Sequence, residues 1–93
     1  MKARRRQWRR VLDAEMARWS AKTSDELIEA LRLPKDYEVE FEGRAFQVEV
    51  QLLENTDRYV HVGLAVDDGA LPAAILPASD SFICICAKPP RDP

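Results

Sequence analysis

Residues 37–50 read Tyr37-Glu38-Val39-Glu40-Phe41-Glu42-Gly43-Arg44-Ala45-Phe46-Gln47-Val48-Glu49-Val50, and this stretch decides the fold. Apolar and acidic residues alternate with period two on both sides of a glycine. That is the pattern of a hairpin with one buried and one solvated face. Reading Gly43-Arg44 as a Gly-X turn of the II′ kind pairs Phe41 with Phe46, Val39 with Val48 and Tyr37 with Val50. The same register sets Glu38 opposite Glu49, an unfavourable pair of like charges.

Moving toward the C-terminus, Asn55-Thr56-Asp57 supplies the next turn, and Arg58 to Val66 alternates as a third strand. Facing Leu52 with Val60 brings Val50 to Val62, Val48 to Leu64 and Phe46 to Val66, a meander with one continuous apolar face. Asp67 to Ser81 is a long apolar connection broken by Asp68-Gly69, Pro72 and Pro77. Phe82 to Ala87 is apolar at both parities, which suits a strand covered on both faces or lying inside the sheet. The tail, 88–93, carries three prolines and is expected to fray.

Toward the N-terminus the period becomes helical. Trp8, Val11, Leu12, Met16 and Trp19 fall within an arc of about 140° at 100° per residue, a stripe that faces a core. Arg4 and Arg5 extrapolate onto that face, no capping residue precedes them, and cations oppose the helix dipole there. The helix is therefore expected to start near Gln7, leaving residues 1–6 as a mobile basic arm. A second helix opens on the capping box Thr23/Glu26, buries Leu27, Ile28 and Leu31, and ends at Pro34. The resulting order ααββββ is an α+β fold: two N-terminal helices on one face of an antiparallel sheet of about four strands. Ninety-three residues form one domain, 1–93.

Composition narrows the function classes. No stretch approaches the ~20 apolar residues of a membrane span, and Asp13, Glu15 and Arg18 interrupt any signal-peptide core after the basic start. No membrane association and no export are expected. Cys84 and Cys86 lie too close for an unstrained bridge and read as reduced thiols of a cytoplasmic protein. The net charge of −2 hides two halves. Residues 1–22 hold eight basic groups against two acids (+6), and the remainder holds six against fourteen (−8). Such asymmetry calls for an anionic partner at the N-terminus or an internal dock between the halves.

Candidate sites follow from these charges. Arg4, Arg5, Arg6, Arg9 and Arg10, with Trp8 among them, are the residue types that grip phosphates and stack bases. Glu38, Glu40, Glu42, Glu49 and His61 are expected on the outer sheet face, as a solvated surface or as one that meets a cationic partner. His61, Cys84 and Cys86 are zinc-type ligands, yet Cys-x-Cys with one histidine is not a zinc spacing. Ser79, Ser81, Cys84 and Cys86 are nucleophile types, His61 a base and Asp67 or Asp68 an orienter, but no G-x-S-x-G elbow gathers them. The glycines at 43, 63 and 69 form no phosphate loop. No catalytic, cofactor or metal residues are therefore assigned. The expectation is a small non-enzymatic protein-interaction or regulatory domain, binding a protein partner or a second copy. The alternative is a nucleic-acid-associated protein that uses its basic arm.

Overall fold

A computed structural model describes residues 2–67 and 78–86. The elements are α1 (Lys2–Ser20), α2 (Ser24–Ala30), β1 (Lys35–Phe41), β2 (Arg44–Asn55), β3 (Tyr59–Asp67) and β4 (Ala78–Ile85). The four strands form one antiparallel sheet in the order β1-β2-β3-β4. Both helices cover the same face, α1 resting on β3 and β4 and α2 on β3. No described helix is long and apolar enough to cross a membrane.

Helix α1 starts at Lys2 rather than near Gln7, so the expected arm at 1–6 is helical from its second residue. Ala3, Arg4, Arg5, Arg6 and Gln7 all have high intrinsic helix propensity. A helix seeded by the buried stripe after Gln7 extends backward through them at little cost, since propagation is easy once the nucleus exists. Helix α2 begins as expected. The Thr23 hydroxyl accepts from the Glu26 backbone N–H at 3.1 Å, and the Glu26 carboxylate accepts from the Thr23 N–H at 2.9 Å.

The first hairpin turns one residue earlier than expected. Its two-residue loop is Glu42-Gly43, with φ of 52° and 78°, the pair of positive values that a type I′ turn demands. Phe41 therefore faces Arg44, Val39 faces Phe46 and Tyr37 faces Val48. Moving the turn by one residue slides the register by two, which preserves the faces but changes every partner. Glu38 sits opposite Gln47, and the acidic pair is Asp36 with Glu49.

The second pairing slides in the same way, to Leu52–Val62, Val50–Leu64 and Val48–Val66, and it carries a β-bulge between Leu52 and Glu54. At the bulge Leu53 folds over Gly63, where a Cβ atom would stand 2.9 Å from Leu53 Cδ1. Gly63 is thus the residue that lets Leu53 approach the backbone.

Strand β4 begins at Ala78, four residues before the expected Phe82, and among the described strands it lies at the edge of the sheet rather than inside it. Its inner side, Ala78, Phe82 and Cys84, packs against the core, as does Cys86 beyond its end. On its outer side Ile83 and Ile85 remain 55% and 69% exposed. The connection at 68–77 and the tail at 88–93 lie outside the described residues.

The core is the inner sheet face closed by the helices. Phe46, Val48, Val50, Val60, Val62, Leu64 and Val66 are buried beneath Trp8, Val11, Leu12, Trp19, Leu27 and Leu31. Met16 and Phe41, also expected there, are half-buried at its margin. Val48 is fully buried, so Val48→Asp places an unpaired charge in this layer. The expected loss is more than about 3 kcal/mol of stability, read as collapse of the urea or thermal transition. An unchanged transition would contradict the assignment of faces.

Candidate interaction surface

The opposed charges meet across the two layers. Arg10 Nη1 lies 3.6 Å from Glu42 Oε2, and Gln7 Nε2 donates to Glu42 Oε1 at 3.2 Å. Glu42, expected on the outer face, is instead a turn residue whose carboxylate reaches back to α1. Arg9 bonds Asp13 at 3.2 Å within the helix and Asp80 on β4 at 3.4 Å. Two of the five candidate phosphate-binding arginines are therefore engaged by acids of their own chain. Each pair is exposed and contributes only ~0–1 kcal/mol, so these contacts orient α1 more than they stabilise it. Arg6 is exposed, and the side chains of Arg4 and Arg5 lie outside the described residues.

A half-buried polar chain fixes the other half of α1. Trp19 Nε1 donates to the Tyr37 hydroxyl at 2.7 Å, and that hydroxyl donates to Glu15 Oε1. Glu15 is nearly buried, with Arg18 Nε 3.7 Å from its carboxylate. The Arg18 guanidinium also stands over the Tyr37 ring, 5.5 Å from its centroid. Burial first, and the bond to Glu15 second, push the Tyr37 hydroxyl up to about 12. This cluster ties helix to strand through bonds among its own side chains.

The outer sheet face carries Asp36, Glu38 and Glu40 on β1, and Gln47, Glu49 and Gln51 on β2. Glu38, Glu40 and Glu49 are exposed, as expected. No three described His, Cys, Asp or Glu residues gather closely enough to hold a metal ion. His61 shares the outer face, where its Nε2 lies 2.9 Å from Ser81 Oγ. Among the described residues no carboxylate is bonded to the His61 ring. Asp67 is six residues further along β3, about 20 Å away, and Asp68 lies outside the described residues. Ser79 and Ser81 line an open depression of about 350 Å³ with Glu49, Gln51, Leu53, Gly63 and Ala65. Cys84 and Cys86 point to the helical side, Cys84 Sγ lying 3.9 Å from the Lys22 carbonyl. The sheet thus separates both thiols from His61.

What the sequence reading missed on this surface is apolar. Leu53, Ile83 and Ile85 are exposed on the outer face. Tyr59 is paired in register with Ile85. The Tyr59 hydroxyl donates to Glu54 at 2.9 Å, and that bond raises it above its ordinary value. The signal was present: adjacent Leu52-Leu53 breaks the alternation, and Ile83-Cys84-Ile85 is apolar at both parities. In comparisons with known proteins, no family model, no curated protein and no solved structure matches this chain.

The Tyr37 cluster makes stability sensitive to alkali. A hydroxyl raised in the folded state contributes stability that is intact below its unfolded value near 10 and is lost as pH rises through about 12. Tyr37→Phe takes the acceptor from the Trp19 N–H and leaves Glu15 with Arg18 but without its hydroxyl donor, and is expected to cost about 1–3 kcal/mol at neutral pH. The variant should also lose the part of the alkaline destabilisation that Tyr37 causes. Denaturant titrations at pH values from 7 to ~12 check both. Equal stability of the two chains throughout would contradict the role given to this hydroxyl.

Proposed function

We propose that this chain is a small non-enzymatic protein-interaction or regulatory domain that binds an extended strand at the open edge of β4. One observation carries the reading: no described strand pairs with the outer edge of β4, and Ile83 and Ile85 stand exposed beside that edge. Natural sheets blunt their edges with charge, proline or coverage. The opposite edge does so, since β1 carries Lys35, Asp36, Glu38 and Glu40. Described β4 has one charge, Asp80, and ends in Phe82-Ile83-Cys84-Ile85. An added strand would gain backbone hydrogen bonds, and alternate side chains would rest on the isoleucines. We read the chain as working in the cytoplasm, where Cys84 and Cys86 stay reduced.

Phosphate binding by Arg4, Arg5, Arg6, Arg9 and Arg10 draws less support, because Arg9 and Arg10 already answer to Asp80 and Glu42. A photo-crosslinking residue placed at Ile83, with the same residue at Glu38 as control, tests the strand-binding reading in cells. Protein adducts are expected at position 83 and not at 38. Equal labelling at both positions, or none at 83, would overturn it. Nucleic-acid binding by the intact chain that fades steeply with salt and vanishes when residues 1–6 are removed would favour the alternative.

A further inference from the structure

We propose that the strand taken by β4 is β4 of a second copy, paired antiparallel about a two-fold axis at Cys84. This rests on the strand-binding reading above. Its register follows from backbone direction. The Cys86 N–H donates to the Arg58 carbonyl at 2.9 Å, so Cys86 points its backbone polar groups toward β3. In an antiparallel ladder alternate residues point the same way. Cys84 and Phe82 therefore also bond β3, and Ser79, Ser81, Ile83 and Ile85 direct their N–H and C=O groups to the open edge.

Asp80 shortens that open run. Its Oδ1 accepts from the Ser81 N–H at 2.8 Å, so the free edge effectively begins at Ile83. Pairing Ile83 with itself across the axis would set Ser81 against Ile85 of the second copy and displace the Asp80 contact. Pairing Ile85 with itself would leave Ile83 without a partner among the described residues of the second strand. Pairing Ile83 with Ile85 of the second copy, twice by symmetry, uses both open residues of each chain and leaves Ser81 alone. A two-fold interface must be self-complementary, and Ile83-Cys84-Ile85 reads the same in both directions.

The chemistry agrees on both faces. Four isoleucines, each more than half exposed in one chain, become cross-strand neighbours on the outer face. Phe82 faces Cys86 of the second copy on the helical side, and no charge lies between Phe82 and Cys86 to repel its equivalent. The β1 edge would instead bring carboxylates against carboxylates.

In this register Cys84 forms a non-hydrogen-bonded pair with Cys84 of the second copy, the Cα atoms about 4.5 Å apart. That separation lies within disulfide reach. The two Cys86 residues lie four strand positions apart, about 13 Å, beyond it. Mild oxidation with copper–phenanthroline of the full-length Cys86→Ser chain is therefore expected to give a covalent dimer, and Cys84→Ser none. Sedimentation equilibrium should find the reduced chain dimeric at micromolar concentration. Ile85→Lys, at an exposed position, should weaken association by about tenfold or more while the far-ultraviolet spectrum stays native. A chain that stays monomeric to millimolar concentration would overturn the proposal. So would a dimer that crosslinks through Cys86 or survives Ile85→Lys. A monomer that still gives adducts with other proteins at position 83 would refute the second copy alone; a monomer with no adduct there would refute strand binding as well.

Discussion

Two helices packed side by side can close only one face of a four-stranded sheet, and the rest of this molecule follows from that limit. Strands β2 and β3 bury Val48, Val50, Val62 and Leu64 on the covered side, where each apolar side chain contributes roughly 1.5–3 kcal/mol. The opposite side must then carry residues that tolerate water, hence Glu38, Glu40, Gln47, Glu49 and Gln51. Helix α1 lies over β3 and β4 rather than centrally. Val39 and Phe41 on β1 are consequently only half-buried. Across that gap the Trp19–Tyr37–Glu15 chain connects helix to strand. A polar tie is viable there because each donor finds an acceptor, whereas a half-satisfied one would cost more than it returned.

The charges contribute differently. Positive α1 and the acidic remainder of the chain meet through Arg10–Glu42 and Arg9–Asp80, pairs too exposed to hold the fold together. Their geometry is still informative. One arginine reaches the β1–β2 turn and the next reaches the start of β4, so they straddle the sheet beneath α1. The internal dock absorbs part of the asymmetry that first suggested an anionic partner.

The meander and its buried face were legible in the sequence because side-chain alternation records parity, and parity survives a slip of two residues. Register was not legible. Gly43 could stand first or second in a two-residue loop, and only the positive φ of Glu42 decides between them. The bulge at Leu53 was hidden because Gly63, over which Leu53 folds, lies on the neighbouring strand. Glu15 could have been found, because it falls in the middle of the helical arc defined by Trp8, Val11, Leu12, Met16 and Trp19. The start of α1 was not legible, because five strong helix formers outweigh the missing cap there. At the surface, exposed Glu38, Glu40 and Glu49 were readable from alternation. The edge position of β4 was not, because an apolar run at both parities fits an interior strand as well as an unprotected edge.

In the proposed pairing, β4 uses alternate backbone groups for β3 and keeps those of Ile83 and Ile85 open for a further strand. Residue-resolved amide exchange tests it most directly, with the chain measured at high dilution and again concentrated. At high dilution Phe82 and Cys84 should exchange slowly, held by β3, while Ile83 and Ile85 exchange fast. On concentration the two isoleucine amides should become protected as well. Protection of Ile83 and Ile85 that is already complete at the greatest dilution, or four amides that exchange alike at both concentrations, would contradict an open edge.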